Sequence, residues 1–354
     1  MAKLLVALCL GLLTLVTATA ADELPRVVVY ATGGTIAGKS NGGSSETTKY
    51  SAGQVTAQQL LDAVPEIANV SHVDAVQFTN LGSNRLNTSL VLELSKNISA
   101  SLASDKYAGA VVTVGTDTLE EVAYFLDLTV DSPKPVVIVG AMRPTTALSA
   151  DGPMNLLQAI RATVHPSSRS RGALVVLNDR IGSAYYTTKT NSRTLDTFKA
   201  IEQGYLGTFV DGGEPLYYFT PSRPTGRRFF NISALHILPK VDILYSYLDM
   251  DPMLLRLTVE HNGAKGIVIA GEGDGEADRT WLPEMVGLMA RGVPVVTSTR
   301  TAAGTVGAGL NFGNGTASIP ASTLNPPKAK ILLQLALAQH PSDVSAVASA
   351  FKGV

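Results

Sequence analysis

A chain of 354 residues, 45% hydrophobic and 16% charged, is that of a globular protein long enough for two domains, since one core stops growing at roughly 250–300 residues. A formal net charge of −1 gives no electrostatic footprint for nucleic acid or an anionic membrane surface, and no charge block or low-complexity tract marks an interaction tail. The single cysteine, Cys9, lies in an N-terminal targeting segment, so the mature chain is expected to have no thiol chemistry, disulfide or thiolate metal site.

That segment is read as a signal peptide covering residues 1–20. Lys3 precedes an apolar run, Leu4 to Val16, and Ala18-Thr19-Ala20 supplies small residues for cleavage before Ala21. The run is shorter than the ~20 residues of a spanning helix. Five Asn-X-Ser/Thr sequons follow, at Asn69, Asn87, Asn97, Asn231 and Asn314, as expected of a secreted glycoprotein.

Val27-Val28-Val29-Tyr30 then reads as a buried strand, and Ala31-Thr32-Gly33-Gly34-Thr35-Ile36-Ala37-Gly38 follows it. The glycines permit a sharp turn with uncovered main-chain N–H groups, and Thr35 places a hydroxyl at the carboxyl end of the strand, where open α/β sheets hold ligands. The next stretch, Lys39-Ser40-Asn41-Gly42-Gly43-Ser44-Ser45, reads as a flexible loop suited to a lid. Val73 to Phe78 is strand-like, and Leu90, Val91, Leu94, Ile98 and Leu102 recur at helical spacing. Ala110 to Val114 is a second buried strand, ending in Gly115-Thr116-Asp117-Thr118, with a helix expected from Leu119 to about Leu128. Strands at Val136 to Val139 and Leu174 to Leu177 flank a helix at Met154 to Ala162. This alternation implies a mainly parallel sheet flanked by helices.

From Asn178 to about Pro239 the periodicity fades, and the later part reads as a connection between domains. Strands resume at Val241 to Tyr245, Gly266 to Ile269 and Val293 to Thr297, with helices near Trp281 to Arg291, Lys328 to Ala338 and Ser342 to Phe351. The expected organisation is a larger N-terminal α/β domain over residues 21–217 carrying the active site, a linker over 218–239, and a smaller C-terminal α/β domain over 240–354.

Polar groups suited to catalysis gather at successive strand ends: Thr35, Ser83 with Asn84, Thr116 with Asp117, and Lys189 in Thr187-Thr188-Lys189-Thr190-Asn191. A threonine hydroxyl is a weak nucleophile until a neighbour takes its proton. A desolvated lysine steadied by a carboxylate is such a neighbour, so Thr116, Lys189 and Asp117 form a proton-handling set. Glycine-turn N–H groups supply an oxyanion site. The set suits hydrolysis of an acyl compound. Taken singly, each residue also has a plainer use: Thr116 or Asp117 as a helix cap, Lys189 as a solvated lysine, Tyr50 as a surface aromatic. The histidines show no ligand spacing, so no metal is expected. The glycines do not match the dinucleotide fingerprint, and there is no Gly-X-Ser-X-Gly elbow.

Six strings in order resemble the bacterial-type L-asparaginases, most closely the secreted type II enzymes: Ala31 to Gly38, Gly115-Thr116-Asp117-Thr118, Phe125-Leu126-Asp127-Leu128-Thr129, Val139-Gly140-Ala141-Met142-Arg143-Pro144, Ser149-Ala150-Asp151-Gly152-Pro153 and Thr323-Leu324-Asn325-Pro326. The resemblance covers nearly all of the mature chain. It implies cofactor-free hydrolysis of L-asparagine to L-aspartate and ammonia by a homotetramer with sites between paired subunits. By position it implies Thr35 as the attacking hydroxyl, assisted by Tyr50 in a mobile lid, and Thr116, Asp117 and Lys189 as a second catalytic set. Gly34, Ser83, Asn84, Thr116, Asp117 and Ala141 are the implied substrate contacts, the Ala141 carbonyl facing the amide nitrogen.

Three departures stand out. Val114 replaces the histidine of the related Thr-His-Gly-Thr-Asp-Thr string, and Asn84 stands where many relatives have Gln. The loop from Gly304 to Asn314 lacks the carboxylate that relatives lend to the neighbouring subunit, leaving Glu272, Asp274 or Glu276 as candidates to replace it. The rival readings are a mixed glutaminase-asparaginase and an amino-acid-binding protein that has lost turnover.

Overall fold

The structure, a computed structural model, describes residues 24–221, 228–313 and 316–353. The expected signal peptide and the Asn314 sequon lie outside the described residues. The β-branched run of the opening strand, Arg26–Gly33, sits inside an eight-stranded sheet, between His72–Leu81 on one side and Gly109–Thr113 on the other. Beyond Gly109–Thr113 come Val136–Val139 and Ala173–Leu177, and these five strands are parallel. Alternate residues point to opposite faces. Val27, Val29, Val111 and Val137 pack under the helix Gly152–Val164, while Val28, Val112 and Ile138 pack under the helices Thr88–Leu102 and Leu119–Thr129. Burial on both faces explains why these strands read as continuous apolar runs.

The stretch from Asn178 is not structureless. Asn178 and Asp179 have φ of 52° and 60° and join Leu177 to Arg180 in a two-residue hairpin, the turn that Asn and Asp favour. Arg180–Ser183, Gly207–Phe209 and Pro215–Tyr217 then extend the sheet antiparallel. These strands are three or four residues long, too short to show a period. The sheet is therefore parallel at its centre and antiparallel along one flank. The expected loop at Lys39 is also more ordered: Lys39–Ser40 pairs antiparallel with Tyr50–Ser51.

A second sheet of four parallel strands, Val241–Tyr245, Gly266–Gly271, Val295–Thr299 and Ile319–Pro320, forms the smaller domain. One face packs on Leu255, Trp281, Met285 and Leu288, the first from a helix at Met253–Glu260 that periodicity did not reveal. The other face packs on the helix Pro326–Gln339, whose Leu332, Leu333, Ala336 and Leu337 share a core with Tyr124, Phe125 and Leu128 of Leu119–Thr129. Leu119–Thr129 is thus buried from both sides, by its own sheet and by the second domain. Among the described residues no helix is long and apolar enough to cross a membrane, and no cluster of three or more candidate metal ligands occurs.

Lys328, in the first turn of Pro326–Gln339, is fully enclosed and donates to the carbonyls of Tyr185 and Thr187 at 2.9 and 2.7 Å. Burial lowers its ammonium from the ordinary 10.5 to about 8, although Glu120 and Asp127 favour the charge. Between those two pH values the unfolded chain holds the proton and the folded chain does not, so stability from this group rises with pH. Wild type is expected to gain up to about 3 kcal/mol on Lys328→Met as pH rises through that window, read by denaturant unfolding at matched pH. A constant difference would contradict the buried charge.

Candidate active site

Arg26–Gly33 and Gly109–Thr113 are neighbours in the sheet, but their onward connections leave in opposite directions, one toward His72–Leu81 and the other toward Val136–Val139. A crevice opens at such a reversal. Thr35 and Thr116 stand at its two lips, beyond the paired residues Ala31 and Thr113.

The two lips meet through glycine. Gly33 and Gly34 have φ of 108° and 78°, the left-handed region that side chains disfavour. A β-carbon on Gly34 would lie 2.3 Å from the Cα of Gly115 and 2.4 Å from its nitrogen, and one on Gly115 would lie 2.8 Å from Ser83 Cβ. Only backbone fits there. The buried hydroxyls of Thr35 and Thr116 therefore belong to turns in van der Waals contact, and both line one cavity of about 580 Å³.

Two hydrogen-bonded sets face that cavity. Thr35 Oγ1 lies 2.6 Å from the Tyr50 hydroxyl. The Tyr50 ring lies on Gly38, where a β-carbon would approach it to 2.9 Å. Opposite, Lys189 Nζ donates to Thr116 Oγ1 at 3.0 Å and to Asp117 Oδ1 at 2.6 Å. The Lys189 side chain is 17% exposed and that of Asp117 69%, so the carboxylate is open to an incoming molecule. Tyr50, Thr116, Asp117 and Lys189 all join Thr35 in the cavity wall. Helix capping does not account for the pair: Leu119–Thr129 begins after Thr118, which makes no side-chain cap bond.

Lys189 arrives differently from the strand-end placement expected of it. It sits in a short hairpin, Thr188–Lys189 against Phe198–Lys199, after the chain has reversed along Arg180–Ser183. What holds it there is Glu120, whose carboxylate accepts from the Lys189 N–H at 2.7 Å and from Asn325 Nδ2 at 3.0 Å. No local sequence pattern marks Glu120 or Asn325 for this role, because their partners are remote in the chain.

The expected substrate contacts divide. Ser83 is buried against Gly115, and its carbonyl accepts from Thr118 Oγ1 at 3.0 Å. Gly34 shapes the turn rather than offering its own N–H, which donates to the Leu81 carbonyl at 2.9 Å. Asn84 is exposed, its Oδ1 folded toward Gly82, and it does not line the cavity. Ala141 is fully buried; its neighbours Met142 and Arg143 line the cavity, and their N–H groups are held at 2.9 Å by Asp151. Arg143 and Arg193 add positive charge to the wall. Over the opening, Leu148 N donates to Ser44 O at 3.0 Å and Ser40 N to Thr146 Oγ1 at 2.8 Å, so the hairpin bearing Tyr50 is fastened to the loop after Val136–Val139.

Residues 26–223 match the family profile described as "Asparaginase, N-terminal", and residues 240–351 match "Glutaminase/Asparaginase C-terminal domain". The chain belongs to the bacterial-type asparaginase family. It is 47% identical to L-asparaginase 2-3 of Saccharomyces cerevisiae over 342 residues, covering 94% of this chain and 91% of that one. It is 41% identical to L-asparaginase 2 of Escherichia coli over 322 residues, covering 90% and 91% of the two chains. A crystal structure from Campylobacter jejuni, titled a probable cytoplasmic L-asparaginase, superposes with a TM-score of 0.87 at 40% identity, covering 92% of this chain and 99% of that one. The type II likeness, the α/β class and the larger and smaller domains thus stand together.

Within this asparaginase, Val114 is wholly enclosed in the core of the main sheet beside Val112 and Leu119. Glu272, Asp274 and Glu276 lie in the smaller domain and none lines the Thr35 cavity; Asp274 instead accepts from the Gly307 N–H at 3.3 Å. The glycine contact makes a sharp contrast testable. Gly34→Ala must absorb a disfavoured φ and a backbone clash, about 2–4 kcal/mol together, with loss of any turnover. Gly287→Ala meets nothing within 4 Å on the helix Leu282–Ala290 and should be neutral or stabilising by up to about 1 kcal/mol. Chemical unfolding of both variants measures the difference, and equal stability would contradict the contact.

Proposed function

We propose that the protein is a secreted L-asparaginase that hydrolyses the side-chain amide of L-asparagine to L-aspartate and ammonia, with Thr35 as nucleophile and no cofactor. The observation that carries this reading is the shared cavity, in which a hydroxyl paired with Tyr50 faces a hydroxyl, an amine and a carboxylate. The relatives' names supply the substrate.

In this reading Thr35 Oγ1 attacks the amide carbon as its proton passes to the Tyr50 oxygen 2.6 Å away and the Tyr50 hydroxyl hands its own proton on to the amide nitrogen. Collapse of the tetrahedral adduct breaks the carbon–nitrogen bond, and the nitrogen leaves as ammonia with that proton. The resulting ester on Thr35 is cleaved by a water whose proton is taken by the Thr116–Lys189 pair that Asp117 holds in place; the acyl–oxygen bond to Thr35 breaks and the same proton passes to Thr35 Oγ1, restoring the hydroxyl and releasing aspartate. Asp117 also takes the substrate α-amino group; the family resemblance gives Ser83 and Asn84 to the α-substituents and the Ala141 carbonyl to the amide nitrogen, although none of the three lines the cavity wall of the free chain. Arg143 and Arg193 add positive charge suited to the substrate carboxylate.

Secretion rests on the charge–apolar–small order of residues 1–20, and glycosylation on the sequons, of which Asn69, Asn87, Asn97 and Asn231 are exposed. A homotetramer, with each site between paired subunits, fits the family resemblance. Division at 218–239 fits a stretch that separates the strands of the two sheets.

Ammonia release by wild type and Thr35→Ala tests the nucleophile. The variant should lose about a thousandfold or more in kcat while calorimetry still detects asparagine binding. Full turnover in the variant would remove Thr35 from its role; binding without ammonia in wild type would favour the impaired-binder reading. The preference for asparagine over glutamine is a second measurement. Asn84→Gln adds one methylene beside the α-amino group and should change the ratio of kcat/KM values by about tenfold. An unchanged ratio would take Asn84 out of the substrate grip.

A further inference from the structure

Lys189 is held at both ends of the residue, and the carboxylate that holds its backbone is itself bonded to the smaller domain. Its Nζ reaches Thr116 and Asp117 at 3.0 and 2.6 Å, while its backbone N–H donates at 2.7 Å to Glu120 Oε2, one helical turn further along the same segment. Glu120 is 8% exposed and all its bonds point one way: it also accepts from Thr188 Oγ1, and its Oε1 accepts from Asn325 Nδ2 at 3.0 Å. Asn325 serves twice. Its Oδ1 caps Pro326–Gln339 by accepting the Lys328 N–H at 3.1 Å, which leaves Nδ2 aimed at Glu120, with Thr188 Oγ1 3.3 Å away. One turn on, Lys328 Nζ ties down the carbonyls of Tyr185 and Thr187. Every residue from Tyr185 to Lys189 except Tyr186 is thereby bonded to Glu120 or to the start of a helix of the smaller domain.

A carboxylate with this little exposure costs several kcal/mol to bury unless its lone pairs are filled, and here they are filled by groups on the lysine's own segment and by Asn325 of the smaller domain. A core needing only apolar filling would not carry a charge there. We propose that Glu120 and Asn325 are positioning residues that fix Lys189 against Thr116 and Asp117, so that the smaller domain governs the proton-handling set from outside the cavity. This rests on the reading of Lys189 as part of that set. Neither residue lines the Thr35 cavity, so substrate binding should be spared.

The test uses the full protein, with kcat and KM from ammonia release and thermal midpoints for folding. Lys189→Met checks the underlying reading and should lose about a hundredfold in kcat. Glu120→Gln places an amide N–H₂ against a site of donors and should lower kcat by about tenfold with KM within about twofold, the scale of a misplaced reacting group. Asn325→Asp, which sets two carboxylates against each other, should do the same. The exchange Glu120→Gln with Asn325→Asp restores one carboxylate and one amide. The introduced amide then donates to the introduced carboxylate while its carbonyl accepts from the Lys189 N–H. Thr188 Oγ1 donates to the relocated carboxylate, so kcat should return to within about threefold of wild type. Thr188→Val keeps its volume and removes the hydroxyl's bonds to Glu120 and Asn325, and should lower kcat by about threefold even if the carboxylate variants do not fold. An active Lys189→Met would overturn the reading of the lysine. An inactive Lys189→Met beside wild-type kcat in Glu120→Gln or Thr188→Val, a loss confined to KM, or a folded exchange variant with no recovery would overturn the positioning role alone.

Discussion

Two glycines touching across the end of the main sheet set the distance on which everything else depends. Neighbouring parallel strands bring their carboxyl ends together, but side chains on the following turns would ordinarily keep those turns apart. With Gly34 in a left-handed conformation and its missing β-carbon 2.3 Å from Gly115 Cα, the turns close to backbone contact. Thr35 and Thr116 follow immediately, so two hydroxyls from separate strands open on the same cavity. Their placement is thus a property of the backbone, and the parallel register of Arg26–Gly33 with Gly109–Thr113 transmits it from the core.

Around this point buried polar groups bind one piece of backbone to another. Thr32 donates to the Thr113 carbonyl at 2.8 Å and Thr79 to the Thr32 carbonyl at 2.6 Å, tying the central strands together beneath the turns. Asp151 serves the Met142 and Arg143 N–H groups, and Asn155 the Gly140 carbonyl, on the far wall. Glu120 and Lys328 are costly members, a carboxylate and an ammonium withdrawn from water: Lys328 is met by two carbonyls of the segment that delivers Lys189, and Glu120 by the Lys189 N–H and the side chains of Thr188 and Asn325. These buried groups fix backbone leading into the cavity, while others, such as Asp127, Ser298 and Gln334, bond main chain elsewhere in the two domains.

Much of this was legible in the chain. Strands buried on both faces must be continuous runs such as Ala110 to Val114 or Val136 to Val139, and each was found within about two residues of where its pattern places it. Gly33-Gly34-Thr35 and Gly115-Thr116-Asp117 announce themselves because strained turns and strand-end hydroxyls demand particular residue types. The antiparallel flank was not seen, since three-residue strands have no period, although Asn178-Asp179 carried a readable hairpin signal. Glu120 and Asn325 are illegible in the sequence for a different reason. Glu120 finds its partners 69 and 205 residues away, and no local pattern marks a hydrogen bond made only after two domains pack. Asn84 and Ala141 show the converse limit: motif position places them near the site, while their contacts in the free chain place them outside its wall.

The central claim is that Thr35, and not the hydroxyl facing it, takes the acyl group. Mixing the enzyme with asparagine, quenching in acid within the first turnovers and mapping the peptides by mass spectrometry reads this directly. The account predicts the mass of one aspartyl acyl group on the peptide containing Thr35, with none on the peptide containing Thr116. An adduct on Thr116, with Thr35 unmodified during turnover, would contradict it.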